Sequence, residues 1–534
     1  MSDRPAFTPA TTELVAGVRR NAIGDLLRRT AARYPGKPGV VDGTRRMTFA
    51  EFDQVVDRCA AALAERGLGK GDRLAVLSHN CWQYAMLVFA TARLGVVLVP
   101  VNFMLGAKEI AFILNHSGAG GMVVEDALAP TAEKALAEAG IDRGVWGWIA
   151  LSGAPASGRW EDVDPWAEHP GTAPEVAVAD DDLIRLMYTS GTESLPKGVM
   201  LSSRSLIAQY VSCAVDGGMT AGDVEVHALP FYHCAQLDVF FSVDMFLGAT
   251  SIILPRPDPA ALLATVERER ATKLFCPPTV WISLLRHPDF ARTDLSSLRK
   301  GYYGASPMPV EVLRELQERL PDVQLWNLYG QTEMAPVATV LGPDEQLSHA
   351  GSAGRAVLNV ETRVVDDDGA DVAPGEVGEV VHRGPHTTLG YYADEEKTAE
   401  AFRGGWFHSG DLGVLGEDGC LTIVDRKKDM IKTGGENVAS REVEEAIYLL
   451  DGVSEVAVFG VAHPHWIEAV TAVIVPKPGA ALDEEAVHAH ARAHLAGYKR
   501  PKYVVITGAL PKNPTGKILK RDLRTQYAHL ASSA

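Results

Sequence analysis

Two hydrophobic rhythms alternate along the first half of the chain. Ile23 to Tyr34 (IGDLLRRTAARY) places apolar residues at helical spacing and predicts an amphipathic helix. Thr48 opens TFAEFDQVVDRCAAALAERG; Glu51, three residues on, completes a capping box, and Gly67 closes that helix. Arg73 to Ser78 then reads as a buried strand, Trp82 to Leu94 as a helix, and Val96 to Pro100 and Met122 to Glu125 as further strands. Strands alternating with helices of this length imply a largely parallel sheet covered on both faces. Residues 1–20 are polar and rich in Pro and Thr, and read as a loosely packed arm. Residues 153–182 lack periodicity and read as a connection.

Farther on, Leu183 to Tyr188 is a short apolar run bounded by charge, a buried strand. Asp223 to Tyr232 is strand-like and ends in a turn with His233, and Val239 to Leu254 reads as a helix followed by a strand. Lys273 to Pro278 and Lys300 to Ser306 are strands ending in tight turns, the place where ligands sit in open α/β sheets. After Gly351 the texture changes. Val360 to Asp366, Gly378 to Arg383 and Cys420 to Val424 are short strands between Gly/Asp turns, which suggests a β-rich subdomain. The charged run Arg426-Lys427-Lys428-Asp429 marks a boundary. Beyond it come a helix (Arg441 to Leu450), two strands (Val453 to Val461, Ala469 to Val475) and another helix (Asp483 to Leu495), a module large enough to fold separately. The expected class is α/β. A large N-terminal domain spans 1–425 with parallel and mixed sheets, covering helices and the β-rich subdomain; 426–428 form a hinge, and a small α+β domain spans 429–534.

Composition narrows the function. The 534 residues exceed what one core serves, while 46% hydrophobic and 22% charged residues are ordinary for a globular protein. A net charge of −17 argues against nucleic acid or an anionic membrane as the main partner, so any anionic ligand must be met by local Lys and Arg. The six cysteines are scattered, with no CxxC and no metal spacing, and read as reduced buried thiols. The N-terminus lacks an apolar signal core, and the apolar run Ala85 to Val101 is broken by Arg93 and Gly95, so no membrane span is expected. The terminal ASSA is no peroxisomal address, and a cytoplasmic location is the default.

The sharpest chemistry follows the strand at Leu183. Tyr188 to Ser202 reads YTSGTESLPKGVMLS. Small residues with hydroxyls and backbone freedom (Thr189, Ser190, Gly191, Thr192) can wrap donors around phosphate oxygens, and Lys197 adds a mobile point charge. The pattern is not GxxxxGK[ST], because the second glycine before the lysine is missing. The stretch resembles the nucleotide loop of the adenylate-forming superfamily, whose form is TSGTTGxPKG and which includes acyl-CoA synthetases. Glu193 and Ser194 depart from that form, and Glu193 is expected to point outward or toward Mg²⁺.

Further segments resemble the same superfamily in the same order, and the resemblance spans about residues 25 to 525. It implies that Gly304, Ala305 and Ser306 pack against adenine. It also implies that Tyr329 in YGQTE stacks on that ring beside Gly330 and Gln331, that Thr332 reaches phosphate, and that Glu333 holds Mg²⁺, for which one carboxylate suffices. Trp406 to Asp411 reads as a turn whose Asp411 would accept from both ribose hydroxyls, Arg426 would add a ribose or α-phosphate contact, and Lys517 in LPKNPTGKILK would be the catalytic lysine. The small domain would be mobile about a hinge at Lys428 and carry Gly434, Gly435 and Glu436 to the site for thioester formation. His233, in a segment similar to PxFHxxG, would face the acyl pocket with Tyr303, Trp281 and Met334 as walls and Gln236 shortening or polarising it. The implied reactants are ATP, Mg²⁺, CoA and an apolar carboxylic acid, medium-chain or aryl. Lys499, Arg500 and Lys502 read as a solvated charge run before they read as CoA contacts. A stand-alone adenylation enzyme loading a carrier protein is the alternative, a luciferase-like oxidase has no positive signal, and a homodimer is admitted as the assembly.

Overall fold

The computed structural model describes residues 8–189, 196–306, 308–427, 429–513 and 516–533. The chain is mixed α/β and divides into two compact units. One takes residues 1–275, 330–337 and 384–400; the other takes 276–329, 338–383 and 401–534.

In the first unit a seven-stranded sheet runs Glu161–Asp162, Val145–Ile149, Gly121–Glu125, Arg73–Leu77, Val97–Pro100, Leu183–Thr189, Lys197–Ser202. All its neighbours are parallel except the last pair, where Lys197–Ser202 returns antiparallel along Leu183–Thr189. That return strand forms a hairpin where the sequence suggested only a loop. A second set of strands runs Lys273–Phe275, Val224–His227, Thr250–Ile253, Pro38–Asp42 and Arg45–Thr48, with only the last pair antiparallel. Helix Phe49–Glu65 starts on the expected capping box of Thr48 and Glu51. Helix Trp82–Leu94 is buried on every face, which explains why its sequence is apolar almost throughout rather than striped.

The N-terminal arm is loosely packed as expected, but it is helical over Pro9–Arg19, which was not: the Thr11 N–H donates to the Thr8 side chain and Pro9 stands in the first turn. Its Leu14 and Val18 are 71% and 88% exposed, so local capping rather than burial defines it, and a search for apolar periodicity passes over it.

In the second unit, Glu361–Val365, Val377–Arg383, Phe407–Leu415 and Leu421–Arg426 form an antiparallel sheet. The Trp406 to Asp411 stretch, expected as a turn, mostly belongs to the strand Phe407–Leu415. Gly410 at φ 71° and a register shift between Leu412 and Gly413 bend it, so the glycine marks a bulge and not a chain reversal. Lys300–Gly304 and Gln324–Gly330 pair in parallel. The last fifth of the chain builds its own sheet in the order Glu436–Val438, Ile431–Thr433, Ile467–Pro476, Val453–His463, with Tyr503–Ile506 added parallel to Ile467–Pro476. Val443 and Ile447 of helix Ser440–Tyr448 and Val487 and Ala491 of helix Glu484–His494 share one buried cluster with Val456, Val458 and Ile474 of that sheet.

Candidate active site

In the first unit, Thr189 and Lys197 face each other across the hairpin; Ser190, Gly191 and Thr192 lie outside the described residues. The Lys197 ammonium sits 5.3 Å from the centroid of the Tyr391 ring. The Tyr391 hydroxyl in turn donates to Oε1 of Glu333 at 2.9 Å. Burial, and then the Glu333 carboxylate, push the Tyr391 phenol up, so it stays protonated and remains a donor. Backbone bonds hold these pieces in register: the Thr388 N–H donates to the Glu333 carbonyl at 2.7 Å, and the Met200 N–H to the Gly390 carbonyl at 3.0 Å.

Thr332 is 8% exposed and its hydroxyl lies 3.3 Å from the Cys234 sulfur. Burial pushes that thiol up to about 11, so it is neutral at physiological pH. His233 precedes it, and the Ala235 N–H donates to His233 Nδ1 at 3.1 Å. That bond assigns Nε2 as the protonated nitrogen of the neutral ring. The amide Nε2 of Gln331 is buried with no hydrogen-bond partner among the described residues, a donor that a bound oxygen-rich ligand would satisfy. The first unit thus gathers Lys197, His233, Gln331, Thr332 and Glu333 through Tyr391 and Cys234.

The second unit assembles the remaining motifs. At Gly304 a Cβ would stand 2.3 Å from the Leu328 carbonyl oxygen, so only glycine lets the two parallel strands approach here. Ala305 follows at φ 62°, a left-handed conformation for a residue with a side chain, and Ser306 completes the turn. Tyr329 ends the neighbouring strand, and its hydroxyl donates to Oδ2 of Asp411 at 2.7 Å. Arg426 Nε lies 3.3 Å from the other carboxylate oxygen. Asp411 and Arg426 are direct partners across the bulged hairpin, and the Ser409 hydroxyl accepts from the Asp411 N–H. A carboxylate offers about four acceptor positions, so Asp411 retains capacity for two hydroxyl donors after serving Tyr329 and Arg426. Burial and the Asp411 charge push the Tyr329 phenol well up, keeping it protonated.

The segment carrying Lys517 is anchored in the same unit. The Thr279 hydroxyl donates to the Gly516 carbonyl at 3.0 Å, and Gly516 sits at φ 82°. The Lys517 N–H donates to the Asn513 side chain at 2.8 Å, while its own side chain is exposed. Gly434 and Gly435, at φ 61° and 90°, form the two-residue turn between Ile431–Thr433 and Glu436–Val438, where both central residues need positive φ. The Gly434 N–H donates to the Trp466 carbonyl at 2.9 Å, and Lys502 lies 4.9 Å over the Trp466 ring. Lys499 pairs with Glu442. Lys428 lies outside the described residues.

Sequence reasoning missed Tyr391, Thr388 and Thr279, which act through contacts far apart along the chain. The only local signal was the GYY triplet at 390–392. Gln236 gains a clearer role. It is fully buried: its amide nitrogen donates to His227 Nδ1 at 2.7 Å and its oxygen accepts from the Leu229 N–H at 3.2 Å. Both polar atoms are therefore spent on holding the segment that leads to His233. Trp281 is buried with its indole N–H on the Tyr302 carbonyl, Tyr303 donates to Gln346, and Met334 is fully buried. No helix among the described residues is long and apolar enough to cross a membrane.

With the geometry in place, the likenesses are informative. Residues 27–392 match the family described as AMP-binding enzyme, and residues 442–517 match the AMP-binding enzyme C-terminal domain. A feruloyl-CoA synthase of Amycolatopsis sp. is 37% identical over 96% of this chain and 100% of its own. The long-chain-fatty-acid–CoA ligase FadD13 of Mycobacterium tuberculosis is 35% identical over 95% of this chain and 98% of its own. The solved structure of ATP-bound MatB from Rhodopseudomonas palustris superposes with a TM-score of 0.86 at 30% identity, covering 95% of this chain and 99% of that one. Over residues 27–392 and 442–517, the chain belongs to the AMP-binding enzyme family, within the adenylate-forming acyl-CoA synthetases.

Proposed function

We propose that this enzyme joins an apolar carboxylic acid, aryl or medium-chain, to CoA at the expense of ATP. The acid's carboxylate attacks the α-phosphorus, the bond to pyrophosphate breaks and an acyl-adenylate forms. The thiol of CoA then attacks the carbonyl, the carbonyl–phosphate oxygen bond breaks, AMP leaves and the thiol proton passes to solvent. The observation that carries the reading is the Tyr329–Asp411–Arg426 arrangement. It leaves a buried carboxylate with acceptor positions for two vicinal hydroxyls, offered by the strands that carry an aromatic ring at Tyr329 and a close backbone approach at Gly304.

The first step brings a carboxylate toward a polyphosphate, and positive charge has to offset that repulsion. Lys197 and the loop at Thr189 to Thr192 are assigned to the phosphates, with Gln331 and Thr332 as donors. The residues at Glu333 fit Mg²⁺, a hard cation that takes oxygen ligands: a carboxylate oriented by Tyr391, next to the Thr332 hydroxyl. When bound, the ion would neutralise phosphate charge. Lys517 is assigned to the developing charge around the attacked phosphorus, where a placed cation does most for the rate. His233, protonated at Nε2, is assigned to the acyl side. The module 429–534 is taken to move about Lys428 between the two steps and bring Gly434, Gly435 and Glu436 into use. The aryl or fatty preference draws on the 37% and 35% identities to a feruloyl-CoA synthase and a long-chain-fatty-acid–CoA ligase. A cytoplasmic site of action follows from the same reading.

The test is carboxylate-dependent release of pyrophosphate from ATP across acids graded in length and aryl character, with and without CoA. CoA-dependent turnover yielding AMP with aryl or medium-chain acids is the expected result. Adenylate that CoA does not discharge would assign the acyl group to a carrier protein instead, and silence across the panel would refute the substrate class.

A further inference from the structure

Away from the reaction site, the second unit holds a group of side chains that the ligase chemistry does not use. Glu345 closes the short 3₁₀ turn Pro343–Glu345, and the His349 N–H donates to the Glu345 carbonyl at 2.9 Å, so the two side chains leave one helical turn on the same side. Facing them is the turn between Phe407–Leu415 and Leu421–Arg426, closed by the Gly416 N–H on the Cys420 carbonyl at 2.9 Å and by Gly419 at φ 79°. That turn supplies Asp418 and Cys420. Ligand atoms of Glu345, His349 and Cys420 all lie within 4.8 Å of one another. Asp418 adds a carboxylate oxygen 2.8 Å from His349 Nε2, and its other oxygen accepts from the Cys420 N–H at 3.1 Å. Arg355 fills the centre: it bonds Glu345 at 2.6 Å, approaches Asp418 Oδ2 at 3.4 Å and donates from Nε to the Asp418 carbonyl at 2.9 Å.

We propose that Glu345, His349 and Cys420, with Asp418 as fourth ligand or orienting neighbour, form a zinc-class metal site for which Arg355 is the resident counter-ion. The spacing E-x₃-H followed by D-x-C delivers two ligand pairs from two segments, as closed zinc sites do. A thiolate and an imidazole select a borderline-soft cation, so this site does not compete for the Mg²⁺ assigned to Glu333. Metal–ligand bonds of about 2.0–2.3 Å need the ligand atoms closer together, roughly 3.3–3.8 Å apart. The side chains reach that spacing by small rotations once Arg355, whose side chain is 41% exposed, swings to solvent. On binding, the Cys420 thiol releases its proton to solvent as the sulfur–metal bond forms, and the guanidinium gives up its two carboxylates. The turn so clamped joins the two strands that present Asp411 and Arg426.

Cobalt(II) titrated into the full-length protein is the probe, because it reports thiolate ligation in its near-ultraviolet charge-transfer band and tetrahedral geometry in its visible bands. One equivalent should produce both signatures, and zinc(II) should displace it. Cys420→Ser should lose the charge-transfer band, and His349→Ala should weaken binding at least about tenfold. Arg355→Ala should tighten binding by roughly two- to fivefold, since it removes a competing cation; an ordinary surface ion-pair cluster has no reason to do so. No band in the wild type, a band that survives in Cys420→Ser, or looser binding in Arg355→Ala would each overturn the site.

Discussion

At the scale of single residues, the two halves of the chemistry rest on different kinds of support. Glu333 is oriented by the Tyr391 hydroxyl at 2.9 Å, and Lys197 lies over the same ring. Removing that hydroxyl in Tyr391→Phe leaves the ring under Lys197 but takes away one of the hydrogen bonds that orient the carboxylate. The expected effect is a several-fold rise in the Mg²⁺ concentration for half-maximal adenylation with little change in the KM for CoA, read by pyrophosphate release across a magnesium series. Lys517 makes the opposite case: its backbone is pinned by Asn513 and its neighbour Gly516 by Thr279, while its ammonium is exposed. Lys517→Ala should cut adenylation by roughly 10²–10³-fold, the scale of losing one preorganised transition-state group. It should spare thioester formation from presynthesised acyl-adenylate, and an equal loss in both half-reactions would refute the assigned role. Lys517 was legible in the sequence because its motif is local. Tyr391 was not, since its role exists only where residues 58 positions apart meet.

At the scale of elements, the parallel strands and their turns set the geometry. Lys300–Gly304 and Gln324–Gly330 pair so closely at Gly304 that the Leu328 carbonyl occupies the place of a side chain. Gly304→Ala must push these strands apart, which displaces Tyr329 one residue beyond Leu328. We expect nucleotide affinity, measured by calorimetry with AMP, to fall by at least tenfold, about 1.4 kcal/mol. Ser306→Ala, on the same turn without a strand-spacing role, should cost much less; equal losses would point to the turn's chemistry and not its packing. Strand periodicity located Lys300–Gly304 to within two residues of the expected Lys300 to Ser306, passed over Gln324–Gly330, and overran at Asp223 to Tyr232, where the strand is only Val224–His227. The strand through Phe407–Leu415 escaped because its GD pair looks like a turn, and only pairing on both sides turns a glycine there into a bulge.

At the scale of the whole molecule, buried histidines tie stability to pH in both units. Burial pulls His386 down to about 4 and His382 down to about 3. The neutral His386 ring donates from Nδ1 to the Val337 carbonyl at 2.9 Å and accepts from Ser212 at 3.0 Å. Folded values below the ordinary 6.5 mean that the unfolded chain binds more protons. The stability each ring contributes is therefore present above about pH 6.5 and lost as pH falls toward the folded value, at about 1.4 kcal/mol per pH unit per ring. Glu225, whose carboxyl is pushed well above the usual carboxylate range by burial, has the opposite sign and favours the fold at lower pH. Urea midpoints should thus fall between pH 7 and 5, and His386→Gln should show a shallower fall than wild type; parallel slopes would exclude this ring as a source. The sequence by itself determined the family, the α/β alternation and the identity of most candidate ligands. Those properties reside in short segments whose composition, capping and glycine placement act over a few residues. Tertiary structure alone decided that Tyr391 orients Glu333, that Asp411 is shared by Tyr329 and Arg426, that Gln236 is spent on the His227 ring and the Leu229 N–H, and that Glu345, His349 and Cys420 converge. Each depends on groups brought within a few ångströms by the fold, Leu229 and Gln236 from 7 residues apart and Tyr329 and Asp411 from 82, and hydrophobic periodicity carries no record of such contacts.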